Sequence, residues 1–490
     1  MLFNSHEFLF LFFPVTLIGY GICMRAAKKG TGKVWQRLPG VFLLAMSFVF
    51  YGWGGARYLP LLFGSILVNY VIGDLVSAAS GMDSGRKRKG FWLGICLNVG
   101  VLCFFKYLDL GGFFPLAISF YTFSQIAFLA ERYKGNIKNT DLLSYGLYVA
   151  YFPKMIQGPI ALPEEMGEKH CRVNWEEGYR NLYLFVLGLF KKVLIADTFG
   201  KAVELGYGNL SALNSLDGII VMLSYTLQLY FDFSGYCDMA MGISGMLGIR
   251  LPINFRSPYK AASILEFWKG WHITLTRFFT KYVYIPLGGN RKGKVRTYCN
   301  TLIIFFLSGI WHGTGIRFII WGMMHGVLYV LTRILEDTGL YRRFQEWKRK
   351  QKSGVRVICH GTAVFFTFLY VNVAWVFFRA TSVREAGGLL WTILRRSGGR
   401  VNWELAGCFN LDEFWYVIKV LRLDGWQYAH YVCLVLILMG TLLLVFFGKT
   451  AADYVKTVKP KLIHSVVMAV LFVWSVLSIS GISSFLYVNF

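Results

Sequence analysis

The run Leu307-Ser308-Gly309-Ile310-Trp311-His312-Gly313-Thr314-Gly315 decides how this chain is read. It closes an apolar segment able to enter a bilayer, and Gly313-Thr314-Gly315 is a natural place to reverse. Basic clusters bracket it, Arg291 to Arg296 before and Arg333 with its neighbours after. Short basic loops stay on the cytoplasmic side of a membrane, so the segment between them must enter and come back. His312 stands 16 residues beyond Arg296. That is about 24 Å at helical rise, deep within a core of roughly 30 Å. An imidazole takes and returns a proton near neutral pH, and a polar group in hydrocarbon is costly enough to imply a purpose.

The rest of the chain agrees with a membrane setting. It has 490 residues, 56% hydrophobic and 16% charged. Soluble chains carry about 25% charge, so this composition indicates a polytopic, all-α membrane protein. Segments long enough to cross recur from end to end, about eleven by length, with re-entrant or interfacial helices besides. Their even spread predicts one integral membrane domain over 1–490, with its core motifs in 231–326 and no sizeable soluble module.

The net charge of +25 sits in short loops: Arg25 to Arg37, Arg86 to Lys89, and Arg342 to Arg356. Such clusters orient helices and meet anionic headgroups, and no nucleic-acid motif accompanies them. The nine cysteines are scattered without CxxC or Cys/His spacing. Neither a disulfide framework nor a metal site is expected. The first apolar run, Phe8 to Cys23, lacks preceding positive residues and a cleavage site, so it reads as a retained helix.

The charge bias also orients the chain. Residues 1–7 carry no Lys or Arg and 24–37 carry five, which places the N-terminus outside and the first loop in the cytoplasm. Helices are expected near 39–54, 60–79, 91–105, 113–130, 357–378, 429–447 and 463–484, leaving the C-terminus outside as well. The path of 141–335 is less regular. Tyr151-Phe152-Pro153-Lys154-Met155-Ile156-Gln157-Gly158-Pro159 interrupts an apolar run, as a re-entrant segment or a kinked crossing would. No internal repeat of the inverted-transporter kind is visible.

A second histidine has a comparable setting. Over Ile264 to Ile285, positions 265, 268, 272, 275, 279 and 282 trace one helical stripe, with Glu266, Lys269, Arg277 and Lys281 opposite. His272 on that stripe points into the protein or the bilayer. The competing readings are a hydrogen-bonded core histidine and an interfacial helix. For His312 the competing reading is structural glue between helices. His325, one turn after Trp321, is a supporting residue or a packing one. Trp311 gives His312 an aromatic neighbour. Asp232 and Asp238 are carboxylates in an apolar run, spaced i,i+4 from Tyr236 and Ser234. They are expected to orient helices or a catalytic ring through hydrogen bonds. Pro252 to Tyr259, which includes Asn254, and Tyr284 to Arg291 read as turns.

Phe231-Asp232-Phe233-Ser234-Gly235-Tyr236, Phe267-Trp268 through Trp271-His272-Ile273, Tyr284-Ile285-Pro286-Leu287-Gly288-Gly289-Asn290-Arg291 and Trp311-His312-Gly313 together form a pattern. It resembles the membrane-bound O-acyltransferase family, in its bacterial branch that includes the alginate O-acetylation membrane protein. Phe10 to Pro14, Ser119 to Phe123, Gln157-Gly158-Pro159 and Trp375 to Ala380 fit it too, so the resemblance spans nearly the whole chain. It implies helices around a central funnel or tunnel, with His312 as the principal catalytic histidine. His272 falls where members carry a second polar residue, often Asn, Asp or His. Lys269-Gly270 stands where relatives often show two arginines, Thr274 where Ser is common, Lys281 where Asp is usual, and Glu131 for a frequent Asp.

The function expected from this resemblance is transfer of acetyl from cytoplasmic acetyl-CoA to hydroxyls of an exported or cell-surface polysaccharide. Transfer is direct or through an extracytoplasmic acetyltransferase-like partner protein, in a bacterial cell membrane, with no tightly bound cofactor. His312 would take the acceptor proton while His272 orients or polarises a reacting group, or holds His312 in the right tautomer, with Trp311, His325, Asp232, Asp238 and Asn254 in support. The nearest rival is D-alanyl transfer to teichoic acid from an acyl carrier protein. A rival of another class is a transporter or flippase with a histidine proton relay.

Overall fold

Helices form where the apolar runs of crossing length lie, and no strand occurs among the described residues. The structure is a computed structural model that describes residues 1–78, 84–108, 114–166, 173–395, 398–411, 416, 419–422, 426, 428–479 and 485–486. Phe8–Phe12 is a π-helical turn that runs into the Phe13–Lys29 helix, with Pro14 in the first turn and Lys28 and Lys29 in the last. Proline is tolerated where the amide would be unsatisfied anyway, and cations suit the negative helix end. The expected helices appear as Lys33–Gly55, Leu59–Ala78, Ser84–Tyr107, Ile118–Lys134, Ser353–Arg379, Ala429–Phe447 and Leu462–Leu477. The basic residues Arg86 to Lys89 belong to the first turns of a helix rather than to a loop.

Six stretches among the described residues are long and apolar enough to cross a membrane: Phe8–Lys29, Lys33–Ser77, Gly85–Tyr107, Ile316–Glu336, Ser353–Arg379 and Ala429–Phe447. The second is a 45-residue run holding two of the expected crossings. Other expected crossings fall on helices that are shorter, such as the 17-residue Ile118–Lys134, or more polar, such as Lys294–His312. Apolar side chains face outward on the long helices; Ala429–Phe447 exposes Val435, Leu436, Met439, Leu443 and Leu444. A contiguous apolar surface of that kind is what a lipid-facing helix requires.

The chain divides into two compact units, 1–190 with 235–253 and 454–490, and 191–234 with 254–453. In the first, buried amides tie helices together. Asn98 donates to Asn69 Oδ1 at 2.5 Å and Asn69 returns a bond at 3.3 Å. Ser65 and Gln125 exchange bonds of 2.9 and 2.7 Å. Lipid gives helices no hydrophobic reason to associate, so interhelical hydrogen bonds and close packing carry the contact. The interruption at 151–159 is real: a nine-residue helix, Leu142–Ala150, stops at Tyr151, and a single turn, Phe152–Met155, follows. Nine residues reach about 13 Å, well short of a crossing. The freed Phe152 amide is received by Ser47 Oγ at 3.2 Å, and Tyr151 donates to Ser244 Oγ at 3.0 Å.

The second unit contains the tight helical hairpin of Lys294–His312 and Ile316–Glu336. Glycines face each other across it. A Cβ on Gly322 would stand 2.4 Å from Phe305 O, and one on Gly309 would stand 2.5 Å from Phe318 O. Small residues let the two backbones approach this closely. At the open end Lys294 Nζ meets Asp337 Oδ2 at 2.8 Å, so the first helix begins where the second ends. The expected reversal at Gly313 to Gly315 is therefore present.

Candidate active site

His312 is the last residue of its helix and is 3% exposed. Its ring lies 4.6 Å from Trp311, 5.0 Å from Trp321 and 5.1 Å from Phe378, centre to centre. The glycine that follows is required by packing, because a Cβ there would sit 1.9 Å from the Phe318 ring. The hairpin thus ends in an aromatic wall with one imidazole in it. Trp311 is itself buried and is part of that wall.

His272 is equally buried, at 1% exposure, but not for the reason the stripe gave. The expected helix over 264–285 is broken. Ile264–Gly270 and Ile273–Phe279 are separate, and His272 between them has left-handed backbone, φ 44° and ψ 51°. Tertiary pairing overrides the helical pattern here. Arg256 donates its amide to Gly270 O at 2.9 Å, and Ile273 donates to Asn254 O at 3.0 Å, so residues 254–256 pull 270–273 out of the helix. Gly270 suits this approach, since a Cβ would stand 2.7 Å from Arg256 O.

Asn254 is the hub of this break. Its Oδ1 accepts from the Thr274 amide at 3.2 Å and the Thr274 hydroxyl at 2.9 Å, and it lies 3.1 Å from His272 Nδ1. A backbone N–H can only donate, so the atom it meets is the amide oxygen, and that fixes the orientation of Asn254. The oxygen can only accept, so His272 Nδ1 carries the proton. Nε2 of a neutral ring then presents its lone pair, and it has no hydrogen-bond partner among the described residues. Burial lowers the pKa of His272, which keeps the ring neutral. Thr274 serves the hub through its hydroxyl, which a serine also provides.

His325 lies among aromatic rings. It is fully buried, with Trp268 at 5.1 Å, Trp321 at 5.2 Å, Phe267 at 6.1 Å and Trp375 at 6.0 Å. Neither ring nitrogen has a hydrogen-bond partner among the described residues. The near-perpendicular Trp268 contact, at 87°, suits a weak N–H to aromatic-face interaction. His325 and His312 both touch Trp321. His272 joins them through a path of ring contacts: Phe233, Phe255, Trp271, Trp375 and Trp321.

Of the two carboxylates, Asp232 gains a partner that helical spacing had no way to supply. It pairs with Lys192 at 2.8 Å, both side chains at most 2% exposed, and Lys192 also meets Asp197 at 2.8 Å. The lysine sits in a π-helical segment, Lys191–Ala196, that offsets the register between the helices on either side. Removing one partner of a buried pair typically costs 3–5 kcal/mol, so Asp232 is held in place structurally. Asp238 is buried too but belongs to the first unit. Sequence reading missed Lys192, although Leu189-Phe190-Lys191-Lys192-Val193-Leu194 carried the signal of a lysine pair in an apolar run.

A membrane-embedded helical scaffold that buries two separated histidines in an aromatic surround, with one ring nitrogen presenting its lone pair as a hydrogen-bond acceptor, is suited to chemistry at a hydroxyl. The chain belongs to the membrane-bound O-acyltransferase family, whose model matches residues 91–378. It is 37% identical to a peptidoglycan O-acetyltransferase of Helicobacter pylori, over 79% of this chain and 78% of that protein. It is 33% identical to a probable alginate O-acetylase of Pseudomonas putida, over 94% of this chain and 89% of that protein. A teichoic acid D-alanyltransferase of Bacillus subtilis is 29% identical over 48% of this chain and 61% of its own length. The chain is accordingly a multi-pass membrane O-acyltransferase.

Proposed function

We propose that this enzyme moves an acetyl group from cytoplasmic acetyl-CoA to a hydroxyl of an exported or cell-surface polysaccharide, directly or through an extracytoplasmic partner protein. It would act in a bacterial inner membrane as one domain with both termini outside, and a funnel or tunnel would admit donor and acceptor from opposite faces. Support for acetyl over D-alanyl comes from the relatives: the O-acetyltransferases match more of the chain at higher identity than the D-alanyltransferase does.

In the reaction, an imidazole nitrogen of His312 takes the acceptor hydroxyl's proton as the oxygen attacks the thioester carbonyl. The tetrahedral intermediate collapses, the carbon–sulfur bond breaks, and the leaving thiolate receives the proton from the imidazolium. His272, with Nδ1 tied to Asn254, accepts a hydrogen bond at Nε2 and so orients a hydroxyl or a water rather than donating to the oxyanion. The observation that carries this reading is the fixed tautomer of a buried, neutral histidine in the same unit as His312. Purified full-length protein given acetyl-CoA and polysaccharide is expected to release coenzyme A and label the glycan. Turnover only with a carrier-bound D-alanyl thioester would replace the acetyl reading by its rival, and substrate movement without any acyl transfer would replace both.

A further inference from the structure

The short helix Gly339–Lys350 joins two helices of crossing length, Ile316–Glu336 and Ser353–Arg379. Its 12 residues reach about 18 Å, too little to cross a bilayer core. None of them is buried. Leu340, Phe344 and Trp347 recur at i, i+4 and i+7 and form one stripe, 77%, 46% and 47% exposed. The Phe344 and Trp347 rings stack on each other at 5.7 Å, and no ring from another helix reaches them among the described residues. Arg343 and Lys350 border the stripe on one side and Lys348 on the other, while Arg342, Glu346 and Arg349 lie opposite.

A helix this short is marginal in water, and most helical stability comes from packing an apolar face. The protein itself leaves this face uncovered. What covers it follows from the neighbouring segments. Leu331 and Leu335 near the end of the preceding helix, and Val357 and Ile358 near the start of the next, are exposed as well. The stripe thus extends an apolar exposure that begins and ends on lipid-facing helices. Aromatic and aliphatic side chains bordered by Lys and Arg suit the membrane interface, where the rings enter the acyl boundary and the long cationic side chains reach back to the headgroups. With five basic residues against Glu346 alone, the helix favours a negatively charged surface.

The same helix is tied to the hairpin that carries His312. Thr338 caps it, Oγ1 accepting from the Tyr341 amide at 3.2 Å, and Arg342 Nη2 donates to Asp337 O at 3.1 Å. Asp337 is the residue whose carboxylate meets Lys294 across the open end of the hairpin.

We propose that Gly339–Lys350 is an interfacial helix that docks on an anionic phospholipid surface. Leu340, Phe344 and Trp347 enter the acyl boundary, Arg343, Lys348 and Lys350 meet lipid phosphates, and the docked helix anchors the open end of the hairpin at headgroup level. The inference is independent of the donor and acceptor read above.

The test is hydrogen–deuterium exchange on the full-length protein in nanodiscs. One set holds phosphatidylcholine alone and the other holds phosphatidylcholine with phosphatidylglycerol, each at low and high salt. Amides of 339–350 are expected to exchange more slowly in the anionic bilayer, by a margin that shrinks as salt rises. The double variant Arg343→Gln with Lys350→Gln is expected to lose that extra protection by about fivefold for each cation removed. Trp347→Ser, which removes an anchor and no charge, is expected to lower protection in both bilayers alike, and it decides the matter if the double variant fails to fold. Benzoylphenylalanine in place of Phe344, irradiated in native membranes, is expected to give phospholipid adducts. Equal protection in the two bilayers, or protection that neither variant changes, would overturn the proposal. An adduct with an acidic protein such as an acyl carrier would assign the surface to that partner instead.

Discussion

His312 and His272 lie in the same compact unit and are buried to the same degree, yet they get there by opposite routes. His312 ends a regular helix in a hairpin closed by facing glycines and sealed at its open end by Lys294 and Asp337. His272 sits in left-handed backbone between two short helices. Such a conformation costs a non-glycine residue about 1–2 kcal/mol. Three hydrogen bonds to one buried oxygen, each worth about 1 kcal/mol net, outweigh it. Helical pattern governs a segment until a buried polar atom offers it a better set of partners.

Five substitutions at four positions press on this contrast. The largest effect is expected for His312→Ala, a fall in acyl transfer of about 10²–10⁴-fold, the usual contribution of a general base. Yield and size-exclusion profile in detergent should be unchanged. Full activity in a well-expressed variant would leave the hairpin histidine a packing residue and the contrast without a mechanism.

A smaller effect, about 10- to 100-fold, is expected for His272→Ala and for Asn254→Ala, and the double variant should lose no more than the worse single one because the two act as a unit. Additive losses would dissolve the hub. Asn254→Asp sharpens the point. A carboxylate against Nδ1–H favours the imidazolium and raises the pKa that burial had lowered, so His272 stays protonated to higher pH. The acid limb of the pH–rate profile should therefore move upward, with activity lost sooner as pH falls. An unmoved limb would mean that Nε2 of His272 takes no part.

The smallest effect belongs to His325→Phe. Replacing an imidazole that makes no hydrogen bond among the described residues by an apolar ring should hold activity within about twofold and keep or raise the melting temperature in detergent, since the desolvation cost of the polar ring disappears. A large loss of kcat with an intact fold would return His325 to the chemistry.

Much of the site was visible in the chain. The reversal after His312, the burial of both histidines and the two acids in a helix follow from charge placement and spacing, because a bilayer penalises every polar group that is not there for a reason. The break at His272 was not visible, since it depends on Asn254 and Arg256 arriving from outside the segment. Lys192 shows an intermediate case. Its place in an apolar run marked it, but its partner Asp232 lies 40 positions along the chain.

The sequence by itself determined the environment: which runs are apolar enough for lipid, which ends carry positive charge, and where an imidazole is stranded far from water. Those properties are summed over residues and survive any arrangement of the helices. The tertiary structure alone decided which atoms meet, and so which nitrogen of His272 holds the proton and where Asp232 finds its cation. Hydrogen bonds and ion pairs act over a few ångströms between residues far apart in the chain, so their partners are fixed only once the helices have packed.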